Sequence, residues 1–291
     1  MMRIFLGLSL LLAPLVAWSK PLTVGITLHP YYSYVHHIVG ARAKVVPLIE
    51  SGINPHSYEL QPSDLKRLSS MDALVLNGIG HDEFAVHALE GLALPKLTRI
   101  YANADLPLLA TSKGSYNPHT FVAIDAAVRQ VYTIARELGR LDPANRDYFQ
   151  QNALTYARSL RAIKNRYRAE LLTLDLASVR IASTHNAYGY LLQEFGIGID
   201  TVIEPAHGVE PNATQLQQTI ERIKAANIQV LFTELDMDNR YVELIQNATG
   251  IRIYHFSHMT FGDYDPELVS REMDHNLKTL VKALSLAAQA S

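Results

Sequence analysis

Asp142-Pro143-Ala144-Asn145-Arg146-Asp147-Tyr148-Phe149, continuing to Leu171-Leu172, is the stretch that decides the fold. Asp142 is placed to cap a helix and Pro143 suits its first position, where a missing N–H costs nothing. Beyond them Phe149, Ala153, Tyr156, Leu160, Ile163, Tyr167 and Leu171 recur every three or four residues, which makes one apolar stripe. About thirty residues at ~1.5 Å each reach roughly 45 Å, enough to lie along two lobes at once. A Gly/Ser linker would let two lobes swing widely; this connector is stiff.

On both sides of that helix the chain alternates strand-like and helix-like segments. Leu22 to Leu28, Lys44 to Ile49 and Ala73 to Asn77 are short, rich in Val, Ile and Leu, and bounded by turn residues, as in strands buried on both faces. Helices are expected at Tyr31 to Val39, Ser63 to Ser69, Glu83 to Leu89 and His119 to Leu138. The pattern restarts with strands at Ser178 to Ala182, Ile199 to Ile203, Gln229 to Thr233 and Arg252 to Phe256. Between and after these, helices are expected at Ala187 to Phe195, Thr214 to Ala226, Arg240 to Thr249 and Pro266 to Ala287. Alternation at this spacing implies parallel sheets covered by helices. The expected architecture is therefore α/β, with two lobes of parallel sheet bridged by one long helix and a ligand site in the cleft between them. The expected boundaries are an N-terminal lobe over 20–141, the connecting helix over 142–174 and a C-terminal lobe over 175–291.

The first residues read as an export signal. Met1-Met2-Arg3 gives a positive end, Ile4 to Val16 an apolar run too short to span a bilayer of ~30 Å comfortably, and Ala17-Trp18-Ser19 a small-x-small cleavage pattern. Residues 1–19 are thus expected to be a cleaved signal peptide and the mature chain to be periplasmic. With no cysteine in 291 residues, there is no disulfide framework, no thiolate metal site and no lipid-bearing cysteine. Any metal must be held by His, Asp or Glu. A formal net charge of -2 carries none of the basic footprint of a nucleic-acid binder.

Twelve histidines are present, and position separates them. In open parallel sheets ligands bind beyond the carboxyl ends of the strands. His56 follows the second strand, His119 follows Asn117-Pro118, His185 follows the strand ending at Ala182, and His258 follows the strand ending at Phe256. Two come from each lobe, each in a loop or at a helix start, so one four-histidine site is compatible with the pattern. Taken singly, each fits a surface or loop histidine better than a ligand, and only their joint placement at equivalent sheet ends points to a site. His36, His37, His87 and His275 look helical, and His255 lies within a strand. His81, in Gly80-His81-Asp82, sits either near the cleft or in an exposed loop; His29 and His207 are outsiders.

Together these segments resemble the solute-binding proteins of zinc and manganese ABC transporters, the cluster A-I family. Asn54-Pro55-His56-Ser57-Tyr58-Glu59-Leu60-Gln61-Pro62-Ser63-Asp64 is similar to the family's Pro-His-x-Tyr-x-x-x-Pro-Ser-Asp signature. Asn117-Pro118-His119 resembles its second ligand motif, and His185-Asn186-Ala187-Tyr188-Gly189-Tyr190 its third. Glu204-Pro205, the Glu234 region and Ala248-Thr249-Gly250 follow in order. The resemblance implies one metal between two lobes, with His56, His119 and His185 carried over as ligands. The family's fourth ligand, often an aspartate in a Ser-Asp element, does not carry over: the place reads Phe256-Ser257-His258. His258 is the favoured fourth ligand, with Asp263 or a water as the alternative. The segment Leu109 to Tyr116 lacks the His- and acid-rich run that many zinc members carry.

Imidazole at position 185 favours Zn2+ over Mn2+, while Cu2+ and Ni2+ also accept it. An all-histidine shell brings no charge of its own, so Glu204, Asp263 and Glu59 are the candidates for nearby compensation. The resemblance implies capture of Zn2+ and its delivery to an ABC transporter permease in the inner membrane, by a chain acting as a monomer. Binding of Mn2+, Cu2+ or Ni2+ is the alternative. A periplasmic zinc hydrolase is the enzymatic rival, but the chain has no His-Glu-x-x-His, no Gly-x-Ser-x-Gly, no P-loop and no complete Gly-x-Gly-x-x-Gly. Gly78-Ile79-Gly80 is a fragment of the last.

Overall fold

A computed structural model of the chain describes residues 20–51, 58–111, 114–204, 209–235 and 240–290. The expected signal peptide and His56 lie outside the described residues.

The first sheet comprises β1 (Leu22–Ile26), β2 (Ala43–Pro47), β3 (Ala73–Leu76) and β4 (Thr98–Tyr101), in the order β2-β1-β3-β4. The second comprises β5 (Ile181–Ser183), β6 (Thr201–Val202), β7 (Val230–Glu234) and β8 (Arg252–Phe256), in the order β6-β5-β7-β8. Within the two sheets, every pairing among the described residues is parallel. In each sheet the order reverses at the strand that comes first in the chain, β1 or β5, which opens a crevice beyond the carboxyl ends of that strand and its neighbour, β3 or β7. Those crevices are where the loops after β3 and β5 emerge.

Helices α1 (His29–Val39), α2 (Pro62–Leu68), α3 (Glu83–Gly91) and α4 (Ile124–Leu141) accompany the first sheet. The second is accompanied by α6 (Gly189–Gln193), α7 (Ala213–Ala225), α8 (Arg240–Thr249) and α9 (Leu268–Ala288). Between them runs α5, Arg146–Leu171, 26 residues and so about 39 Å long. None of the described helices is long and apolar enough to cross a membrane.

The stripe along α5 is buried as its spacing requires: Phe149, Ala153, Tyr156, Leu160, Ile163 and Leu171. It packs on α1, α4 and α9, and through them one continuous apolar cluster runs from Val24, Ile26 and Val75 of the first sheet to Val230 and Phe232 of the second. Strand residues of the opposite parity, Leu74 and Leu76 in β3 and Leu231 in β7, fill two separate clusters under the outer helices. Each sheet is thus covered on both faces, as a parallel sheet must be. Lys164 of α5 adds a polar tie, with its ammonium 2.5 Å from Asp125 of α4 and 3.3 Å from Glu194, just after α6.

Three local expectations are corrected. Asp142 does not cap α5: its carboxylate accepts from the Asn145 amide at 2.7 Å, and Pro143–Asn145 forms a 3-10 turn ahead of the helix. The helix expected from His119 begins at Ile124, because Asn117 grips the His119 N–H at 3.0 Å and holds that residue out of the helix. The edge strand β4 was not expected; Thr-Arg-Ile-Tyr buries only Ile100, and one buried residue gives too little pattern to read.

The lobes also meet through the turn after β8. The ring of His29 stacks on Tyr264 with centroids 4.2 Å apart, and its Nε2 lies 3.1 Å from the Gly262 carbonyl. The Tyr264 hydroxyl donates to the Ile49 carbonyl at 2.9 Å, and the Ser33 hydroxyl to the Asp265 carbonyl at 3.0 Å. Burial disfavours the imidazolium more than the Gly262 carbonyl favours it, so the His29 pKa falls from 6.5 to about 4. From pH 6.5 down to 4 the unfolded chain therefore takes up a proton that the folded chain refuses. Stability falls across that window and levels off below it. We expect His29→Phe, which keeps the stack on Tyr264, to make this decline shallower by at most about 3 kcal/mol at its acid end, as read from urea unfolding of metal-free protein. An unchanged slope would assign the effect to another group.

Candidate metal centre

Four imidazoles from the two lobes converge where the sheets' carboxyl ends face each other. His81 and His119 come from the first lobe, and His185 and His258 from the second; all are buried. The ring of His119 has its centroid 5.1 Å from that of His185, 5.0 Å from that of His258 and 4.4 Å from that of His81. Ligating atoms of His81, His119 and His258 lie within 4.8 Å of one another, as do those of His185, Glu234 and His258. His258 belongs to both groups and joins them.

Each of three rings has its Nδ1 engaged by a neighbouring side chain. The Asn117 amide oxygen lies 2.8 Å from Nδ1 of His119 and also accepts that residue's backbone N–H. Since that oxygen can only accept, His119 Nδ1 donates, and Nε2 is left as the lone-pair nitrogen. Nδ1 of His185 is 2.7 Å from the Glu234 carboxylate, and Nδ1 of His258 is 2.9 Å from the Thr260 hydroxyl. Holding one nitrogen orients each ring, and for His119 and His185, whose partners are acceptors, it selects the tautomer whose other nitrogen can bind a cation.

The supports tie the lobes together as well. The Asn117 amide donates to the Asn186 carbonyl at 2.7 Å, and the Tyr190 hydroxyl donates to the Asn117 carbonyl at 3.0 Å. On the first-lobe side the Asn77 amide donates to both the Gly80 and Pro118 carbonyls, at 2.8 and 3.1 Å, so the loops carrying His81 and His119 share one anchor. Asn77 is held in turn by Tyr31 and Asn103, which are linked to Thr120 and Gln130. Gly80 is required here: its φ is +128°, and a Cβ there would sit 2.8 Å from that of Pro118.

Burial pulls the His185 pKa down to about 4, against an opposing pull from Glu204. The ring is therefore neutral, the form that binds a metal, well below neutral pH. Glu204 is buried and accepts from the Tyr241 hydroxyl, and Glu234 is buried beside His185. These two carboxylates offset part of the charge of a divalent ion. The other expected compensators do not approach: Glu59 is exposed, and Asp263 is exposed with the Ser51 hydroxyl 3.4 Å away.

Of the residues singled out in the sequence, the structure brings together His119, His185 and His258, leaves Asp263 outside the cluster and does not describe His56. His29 serves the lobe contact, and His275 lies 3.2 Å from the His255 carbonyl. Sequence reading left His81 open and missed Glu234 as the carboxylate beside His185. The available signals were the Gly-x-Gly turn before His81 and a buried apolar strand ending in glutamate.

Two parallel-sheet lobes on a stiff helix, with imidazoles from both meeting between them, define a metal-binding solute-binding protein of the cleft type. Residues 24–283 match the family model described as ZnuA, zinc-uptake complex component A, periplasmic. The chain belongs to that family, the metal-binding solute-binding components of ABC importers. It is similar to the solute-binding protein FpvC of Pseudomonas aeruginosa, solved in complex with Mn2+ (49% identity, covering 92% of this chain and 99% of that one, TM-score 0.88). The same protein solved with Ni2+ gives 48% identity, 92% and 98% coverage and a TM-score of 0.87. The high-affinity zinc uptake system protein ZnuA of Bacillus subtilis (strain 168) is 23% identical over 241 residues, 78% of this chain and 75% of that one.

Asn117→Ala and Glu234→Gln should each weaken metal affinity by about 10–100-fold while the chain stays folded, measured by competition with a chromophoric chelator alongside circular dichroism. Unaltered affinity in both would mean that these contacts do not orient the rings.

Proposed function

We propose that this protein is the periplasmic solute-binding subunit of an ABC-type importer and that it captures Zn2+, holding it with His56, His119, His185 and His258 for delivery to an inner-membrane permease. The observation that carries this reading is the set of three buried rings whose Nδ1 atoms are all engaged, with two buried carboxylates behind them. Neutral imidazole nitrogens of this kind suit Zn2+ at Zn–N distances of about 2.0–2.1 Å. His56 enters from the sequence signature alone. His258 stands where the family often has an aspartate, and its burial within the cluster favours it over exposed Asp263 as the fourth ligand. Export through a cleaved leader over residues 1–19 completes the reading.

A second reading is that the physiological cargo is Ni2+ or Mn2+. It is favoured by the complexes solved for the 48–49% identical relative. Binding without turnover agrees with a site whose nearest carboxylate, Glu234, is turned onto a ring nitrogen instead of standing as a general base toward an open position.

Metal content of the purified chain tests the assignment. One Zn2+ per chain is expected for the wild type and for Asp263→Ala, and a clear loss of occupancy after dialysis for His258→Ala. Retention by His258→Ala together with loss by Asp263→Ala would reverse the choice of fourth ligand.

A further inference from the structure

We propose that Glu194 is a positioning residue for metal retention: it caps helix α4 from the opposite lobe, and so clamps the segment that carries His185 onto the segment that carries His119. This rests on the reading of the imidazole cluster as the metal site.

The order along the chain places the contact. In the first lobe His119 is followed by a 3-10 turn over Thr120–Val122 and then by α4 from Ile124. In the second, His185 is followed by α6, Gly189–Gln193, and then by Glu194. The two segments lie side by side and are bonded at both ends. Near the rings the Asn117 amide donates to the Asn186 carbonyl at 2.7 Å. The Tyr190 hydroxyl donates to the Asn117 carbonyl at 3.0 Å and accepts the Leu109 N–H at 2.9 Å. At the far end the Glu194 carboxylate accepts the backbone N–H of Asp125. The imidazole cluster and this contact are thus the two ends of one pair of segments.

Helix α4 needs such a contact and does not provide it for itself. Its N-cap is Ala123, whose methyl cannot accept a hydrogen bond, and Asp125 holds the second helical position, whose N–H has no partner within the helix. A carboxylate there also meets the positive end of the helix dipole. A capping group ordinarily belongs to the residue that opens the helix; here it comes from 69 positions further along, in the other lobe.

The charge is held on the connector as well. The Lys164 ammonium of α5 lies 3.3 Å from the Glu194 carboxylate and 2.5 Å from that of Asp125, and stands 5.5 Å from the centroid of the Phe195 ring. One cation on the joining helix therefore sits between a carboxylate from each lobe. The Glu194 side chain is only 8% exposed, and a charge buried to that extent is costly once a partner is withdrawn. An ion held by buried rings from both lobes leaves when those rings separate. Separation strips α4 of its cap and parts Glu194 from the Asp125 N–H. The clamp thus opposes release without touching a ring of the cluster.

The test uses the full chain with Zn2+ as the probe. Wild type, Glu194→Ala, Glu194→Ala combined with Ala123→Ser, and His119→Ala are loaded with Zn2+, and release is followed in excess chromophoric chelator. Co2+ spectra report the ligand set, and thermal midpoints of metal-free protein report the fold. Glu194→Ala should release Zn2+ about fivefold faster than the wild type, the size of one lost capping contact, with an unchanged Co2+ spectrum. Ala123→Ser gives α4 a cap inside its own lobe. In the double variant the midpoint should recover while release stays fast, because the lobes remain unclamped. Recovery of slow release along with the midpoint would make Glu194 a helix cap and nothing more, which overturns the proposal. A wild-type release rate or an altered Co2+ spectrum in Glu194→Ala overturns it too, whether or not the double variant folds. If His119→Ala fails to hold Zn2+ while Glu194→Ala releases it at the wild-type rate, only this inference fails. If the wild type holds no Zn2+, or His119→Ala holds it equally well, the metal-site reading fails, and this inference with it.

Discussion

The apolar stripe of α5 sets the separation of the two sheets, and the geometry between them depends on that separation. A cation bound by nitrogen donors tolerates little error in distance, and the clustered imidazoles here are contributed by loops from two separate sheets. A flexible linker would leave those loops to find each other at a cost in ordering entropy. Instead Phe149, Ala153, Leu160 and Ile163 lie in one apolar cluster that continues into both sheets, so packing of the interior positions the loops before any ion arrives.

On that base the site is refined by hydrogen bonds. Three rings have Nδ1 engaged by an amide, a carboxylate and a hydroxyl, respectively. Two of those supports have further duties: Asn117 also reaches across to Asn186, and Glu234 ends the central strand β7. The parts that orient the rings are thus also parts of the lobe contact or of the sheet. Buried Glu204 and Glu234 supply the charge that an imidazole set lacks, and in a poorly solvated cleft that charge acts over a short distance with little screening.

Much of this was legible in the chain. Seven strand segments were readable from short runs rich in Val, Ile and Leu and bounded by turns, because strands covered on both faces bury most of their side chains. β4 was not, since an edge strand that buries only Ile100 leaves no such run. His119, His185 and His258 were readable as cleft residues because open parallel sheets place their functional loops at the carboxyl ends of strands. Asp142 and the start of α4 were misread for a common reason: a side chain that can cap or begin a helix can also bond elsewhere, and Asn145 and Asn117 took those bonds.

By itself the sequence determined the fold class, the stiff connector and the lobe from which each candidate histidine comes, since all of these follow from periodicity and order along the chain. Only the tertiary structure decided that His81 joins the cluster while His29 does not, that Glu234 and not Glu59 or Asp263 stands behind the rings, and which ring nitrogen faces inward. Those outcomes hang on distances between residues tens or hundreds of positions apart. Such distances are set by how two sheets pack on a shared core, which no local pattern encodes.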